Sequence, residues 1–183
     1  MSIKNSITTA DYIEYDTAAA KANKLLKDPK TELIGRYIII AINTGLRCGD
    51  ILQLTYEQLL GDTLTINEQK TGKNKIIALN QAIRSIVSAA ATGSLFVTQK
   101  GGTITIQHLN RLLKEAFLKE SKKLNISSHS MRKSFGRRVF SNNNESEKAL
   151  VYLCELFNHS TLTMTRKYLG IRQEELNNIY LNL

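Results

Sequence analysis

An unbroken apolar run, Ile38-Ile39-Ile40-Ala41-Ile42, lies inside a segment of helical pattern from Glu32 to Asn43, and a helix this apolar has to be buried. The stretch around Tyr37–Ile42 is far too short to cross a bilayer, so its place is a protein core. A chain of 183 residues can build one such core, with at most an arm beside it. Pro29 is the only proline, and no Pro/Gly/Ser-rich linker divides the chain. With Leu, Ile, Ala and Lys abundant, helix is expected to dominate a single unit spanning residues 1–183.

The pattern places a helix from about Thr9 to Lys27, capped by Thr8 or Thr9, and another from Cys48 to Leu54 after the Thr44-Gly45-Leu46 interruption. Period-two alternation follows in Thr63–Asn67, with a β-rich stretch at Lys75–Leu79. Thr71-Gly72-Lys73-Asn74 supplies the turn of a hairpin that exposes lysines at its bend. Asn80 should cap a helix running to about Ala90, and Leu95-Phe96-Val97 a short third strand. Thr105–Lys122 is amphipathic, with Leu109, Leu112, Leu113, Ala116 and Phe117 on one face. Further helices are expected near Ser128–Phe140, Glu145–Phe157, Thr161–Leu169 and Arg172–Leu181. The fold class is therefore mainly α with a small antiparallel three-stranded β-sheet.

Lys+Arg 25 against Asp+Glu 16 gives a net charge of +9, which favours a polyanionic partner through release of condensed counterions. Cys48 and Cys154 lack CxxC spacing, so neither a disulfide framework nor a metal site is expected. No secretory signal opens the chain, which reads as soluble and cytoplasmic.

Three segments carry candidate chemistry. Arg47 stands at a glycine-opened turn in "NTGLRCGDILQL", with Asp50 one helical turn on, able to orient the backbone and guanidinium. His129 and Arg132 in "HSMR" are an i, i+3 pair on one helix face, and Ser127 or Ser128 can cap that helix. In "LFNHSTLTMTRKY", His159 precedes a Ser/Thr-capped helix that ends at Tyr168, before Leu169-Gly170. Each has an ordinary explanation alone: an exposed arginine, a solvated face, a core tyrosine. Together they meet the needs of phosphodiester cleavage without a metal. Two guanidinium forks suit the non-bridging oxygens, a lysine or histidine can protonate the leaving alkoxide, and a hydroxyl can attack.

In this order, with a lysine-bearing hairpin between the first and second, the motifs resemble the catalytic domain of the tyrosine recombinases, the phage integrase family. The resemblance runs from about Thr31 to Tyr168. It implies that Arg47 and Arg132 clamp the scissile phosphate, that Tyr168 is the nucleophile forming a 3′-phosphotyrosine, and that His129 and His159 support proton transfer and phosphate binding. Lys70 matches the general acid, because it immediately precedes the Thr-Gly turn; Lys73 and Lys75 are its rivals on the same hairpin. Lys73, Lys75, Lys133, Arg137 and Arg166 are further candidate DNA contacts. The layout implied is an N-terminal helix over about 1–30, a catalytic core over 31–168 and a tail helix over 169–183, without the family's usual N-terminal core-binding domain.

The resemblance further implies double-stranded DNA as partner, a homo-oligomer on it with a tetrameric synapse, accessory directionality factors, a nucleoid-associated location and no cofactor. Two departures stand out: Asn158 replaces the usual glycine before the histidine, though Asn tolerates a left-handed backbone, and Lys133 stands where many members have histidine. Rival readings are DNA relaxation of the type IB topoisomerase kind and a noncatalytic DNA-binding remnant. The tail places Leu176, Ile179, Tyr180 and Leu183 on one stripe, which has to dock on its own domain or on a neighbouring protomer.

Overall fold

The computed structural model describes residues 9–87, 91–98 and 101–182. Helix α1 (Tyr15–Leu25) leads into α2 (Glu32–Thr44) and the short α3 (Cys48–Ile51). Strands β1 (Thr63–Asn67) and β2 (Asn74–Ala78) follow, then α4 (Gln81–Arg84) and α5 (Ile106–Ala116). Helices α6 (Ser128–Asn142), α7 (Glu147–Phe157), α8 (Leu162–Leu169) and α9 (Ile171–Leu181) complete the chain.

As its composition demands, α2 is the central helix. Tyr37, Ile38, Ile40 and Ala41 have no exposed surface, and α1, α5 and α6 pack around them. Burial of each such isoleucine contributes roughly 1.5–3 kcal/mol. α2 stops at Gly45, whose φ of +61° gives a left-handed cap; a β-carbon there would run into the Phe135 ring on α6. Two hydrophobic clusters result among the described residues. The larger surrounds α2 and reaches Met131 on one side of α6; the smaller joins Phe140 of α6 to Leu153 and Phe157 of α7 and Leu169 of α8. Helix α6 is the wall between them.

Several boundaries depart from the pattern. The first helix begins at Tyr15, not Thr9, because Ser134 holds the backbone before it: its Oγ accepts from the Ile13 N–H (3.1 Å) and donates to the Ile13 carbonyl (2.5 Å). Thr8, the other suggested cap, lies outside the described residues. α3 ends after one turn. α4 tightens into i→i−3 bonds at Ile86 and Val87, and Ala90 lies outside the described residues. α5 ends where Phe117, fully buried, turns into the core at ψ 44°.

The expected third strand is also corrected: among the described residues the sheet has two strands, paired antiparallel from Thr63↔Ala78 to Asn67↔Asn74. Leu95 and Phe96 instead cross the core as an irregular segment, with Val97 exposed after them. The Leu95 N–H reaches the Leu54 carbonyl, the Phe96 carbonyl accepts from Ile104, and only isolated bridges form. Leu95 and Phe96 are both buried, so the segment lacks the alternation that a sheet with one wet face requires.

Candidate active site at the seam between the two cores

Strand register explains much of the site. Leu64 and Ile66 of β1 face the core, opposite Ile77 and Lys75 of β2. The same face continues past β1 to Glu68, which is completely buried despite its charge. Glu68 Oε2 accepts hydrogen bonds from Arg47 Nη1 (3.0 Å), Thr71 Oγ1 (2.8 Å) and Asn158 Nδ2 (2.6 Å). Lys75 Nζ lies 3.8 Å from Oε1 and donates to the Leu156 carbonyl (2.6 Å). Burial pushes the Glu68 carboxyl up, but its bond to Thr71 and the charges of Arg47 and Lys75 bring it below the usual carboxylate value. Asp50 turns to the hairpin backbone, accepting the Gln69 N–H at 2.9 Å.

The two arginines meet at one carbonyl. Arg47 Nη2 and Arg132 Nη2 both donate to Phe157 O, at 3.1 and 3.2 Å. Arg132 also donates through Nη1 to Gly45 O, and its guanidinium lies 4.3 Å from the centre of the Phe157 ring. Lys75 takes the preceding carbonyl, so the C-terminal end of α7 gathers three cations where its dipole favours them. Asn158 makes that possible. At φ 52° and ψ 46° it closes α7 with a left-handed cap, as its tolerance for that conformation allows, and its side chain ties the cap to Glu68.

Helix α6 is held by Ser127 and Ser130, which cap its N-terminus reciprocally. It presents Arg132 and Lys133 inward, 5% and 6% exposed. Thr161 caps α8 by accepting from the Met164 N–H at 3.1 Å. His159 Nδ1 and Thr165 Oγ1 are 3.0 Å apart, which orients the imidazole. The Phe157, His159 and Tyr168 rings pack against one another edge-on or tilted, 5.3–5.4 Å between centres. The Tyr168 hydroxyl is buried without a hydrogen-bond partner among the described residues. Burial raises its pKa to about 12 against the Arg132 guanidinium, which pulls by its charge and as a loosely placed donor, and against the Arg47 charge. His129 and His159 are both pushed down, first by loss of hydration and then by Arg132, so both are neutral near pH 7.

Five of the expected residues therefore converge: Arg47, Arg132 and the ring pair His159–Tyr168 are in contact through Phe157, and His129 lies within the field of Arg132, Lys133, Lys70 and Arg47. Lys70 sits exposed at the hairpin bend, whereas Lys75 is the hairpin lysine seated among the arginines. Lys73 Nζ is 3.5 Å from Asn158 Oδ1. Lys133 is packed with Nζ 5.3 Å from the centre of the Tyr168 ring, and Arg137 stacks at 4.8 Å on Tyr12. Arg166 lies half-buried on α8. Glu68 and Phe157 were not singled out from the sequence; the period-two continuation Leu64, Ile66, Glu68 is the signal that would have found the first. Among the described residues no group of three or more His, Cys, Asp or Glu side chains could hold a metal ion, and no helix is long and apolar enough to cross a membrane.

The fold is that of tyrosine recombinase catalytic domains. The chain matches the XerA recombinase at a TM-score of 0.65 and 14% identity, covering 100% of this chain and 66% of that one. The XerH site-specific recombinase, in a post-cleavage complex with its palindromic difH substrate, gives 0.68 and 20%, covering 98% and 54%. The catalytic domain of bacteriophage HP1 integrase gives 0.59 and 21%, covering 88% of each chain. The chain belongs to the phage integrase family, whose sequence profile matches residues 14–175 and so takes in the whole cluster. No curated protein sequence matches. The chain thus spans between half and two thirds of the length of the two Xer recombinases.

Proposed function

We propose that this protein is a site-specific DNA recombinase that cleaves and rejoins strands through a 3′-phosphotyrosine at Tyr168. The observation that carries the reading is the convergence of Arg47 and Arg132 on the Phe157 carbonyl, beside His159 and Tyr168 packed edge to face. A scissile phosphate fits the same donors. Each guanidinium offers five N–H groups, of which two are engaged on each arginine, leaving donors for the non-bridging oxygens. The Tyr168 oxygen attacks phosphorus as the P–O5′ bond breaks. With its pKa near 12 the hydroxyl needs a base, and neutral His129 accepts the proton. Lys70 protonates the departing O5′, and His159 hydrogen-bonds a phosphate oxygen. Rejoining reverses each transfer, so no nucleotide or metal is required.

The double-stranded DNA partner, a tetrameric synapse, accessory directionality factors and a nucleoid location belong to the same reading. So does the division into an N-terminal segment over about 1–30 that carries α1, a catalytic core over 31–168 and a tail over 169–183. Joining of a second duplex distinguishes this from relaxation alone. The test is a nicked duplex that loses its 5′-hydroxyl fragment on cleavage. The wild-type chain should become covalently attached and Tyr168→Phe should not; an adduct in the mutant refutes the assignment. With sulfur replacing the bridging O5′, Lys70→Ala should recover cleavage, and recovery of Lys75→Ala instead would move the acid to β2.

A further inference from the structure

The arginine clamp has a dedicated holder. Glu68 is a fully buried carboxylate at the end of β1, and three donors from three parts of the chain meet on its Oε2: Arg47 before α3, Thr71 in the hairpin bend and Asn158 at the end of α7. A buried ion pair is weak evidence for stability, because apolar residues of similar volume often serve a core as well. What the charge gives here is geometry. Arg47 is anchored at both Nη atoms, to Glu68 and to Phe157 O, so the plane of its guanidinium is fixed while its side chain keeps 21% of its surface open. The carboxylate also draws in Lys75 and, through Thr71, the bend that follows Lys70.

We propose that Glu68 is a positioning residue for strand cleavage, fixing Arg47 in the orientation that meets the scissile phosphate and tying the lysine-bearing hairpin to it. It touches no substrate and acts through the guanidinium. This rests on the recombinase reading above, and the experiment separates the two.

Glu68→Gln keeps the shape and an acceptor oxygen but removes the charge. On the nicked duplex, the full-length variant should bind DNA as the wild type does and cleave about 10²-fold more slowly, the scale for misplacing a reacting group by about 1 Å. A scissile methylphosphonate, which lacks the charge of one non-bridging oxygen, should narrow that gap, because the lost function is orientation of a cation towards that charge. A merely structural defect would slow both substrates equally. Thr71→Val, at the exposed bend, removes one donor from the carboxylate and should show a smaller loss with the same narrowing; it decides the matter if Glu68→Gln fails to fold. Without DNA, ¹⁵N spectra of the arginine side chains should show restricted Arg47 rotation in the wild type and averaging in Glu68→Gln. Wild-type rates in both variants, equal slowing on both substrates, or a restricted Arg47 in Glu68→Gln would overturn the role of Glu68. Absence of any wild-type adduct would instead refute the recombinase reading, and the spectra would still judge Glu68.

Discussion

Gly136 lies on the face of α6 that meets the end of α7 and α8. A β-carbon there would stand 2.6 Å from Leu169 Cδ2 and 2.9 Å from Phe157 Cζ, inside the contact distance of either. Two effects oppose each other in Gly136→Ala. Alanine is better than glycine in a helix interior by about 1 kcal/mol. Overpacking a filled core costs about 1–3 kcal/mol. Leu169 ends in a flexible side chain, but the Phe157 ring is held by Arg132, His159 and Tyr168, so the clash should win by about 1 kcal/mol. At a urea slope of about 2 kcal/mol/M that lowers the unfolding midpoint by about 0.5 M. Activity should suffer far more. Phe157 and Leu169 flank the clamp carbonyl and Tyr168, the proposed nucleophile, and a shift approaching 1 Å costs about 10²-fold in rate. Urea titration and adduct formation on the nicked duplex read the two effects separately. A raised midpoint with an unchanged cleavage rate would refute the reasoning, since it would mean that α8 yields without disturbing Tyr168.

Tyr168→Phe should abolish the adduct yet raise stability by about 1 kcal/mol, because a buried hydroxyl without a partner costs about 1–3 kcal/mol; a lower urea midpoint would show that the hydroxyl is satisfied. Arg132→Ala should slow cleavage by about 10²–10³-fold, and Arg132→Lys should recover little of it, since an ammonium cannot bond Gly45 O and Phe157 O in one plane; near-normal rates in Arg132→Lys would contradict this. Because His129 and His159 lie below 6.5 in the fold, the unfolded chain binds their protons first. Their contribution to stability is full above pH 6.5 and is lost as pH falls through their folded values, so the urea midpoint should drop over that range, and less in a double glutamine variant. Ser127→Ala should cost about 1 kcal/mol through loss of the α6 cap, measured by the same titration.

Much of this was legible in the chain. The isoleucine run had to be central, and it is; the caps at Asn80, Ser127 and Thr161 follow from residues whose side chains satisfy free backbone N–H groups. Asn158 was legible too, as a residue able to replace glycine in a left-handed cap. What local pattern could not supply was tertiary competition for the backbone. Thr9 to Glu14 has the composition of a helix start, but Ser134, more than a hundred residues later, takes the backbone of Ile13. Lys75 looked like one more exposed hairpin lysine until the register put it opposite Ile66, on the core side. Lys133, in a basic stretch that suggests surface, is buried because it lies on the inner face of α6 against Tyr168.

The division of the interior into a large cluster and a small one has a consequence for how the molecule breathes. Arg47 and the hairpin are rooted in the large cluster, whereas Tyr168 is carried by α8, whose apolar side chains, among the described residues, belong to the small one. Cooperative opening follows the amount of apolar surface that must be exposed. Amides of α7 and α8 should therefore exchange with deuterated solvent through an opening that leaves α2 protected. Tyr168 then rides on the segment that is cheapest to release, together with the Phe157 carbonyl that aligns the two arginines, while Arg47 itself stays rooted beside α2.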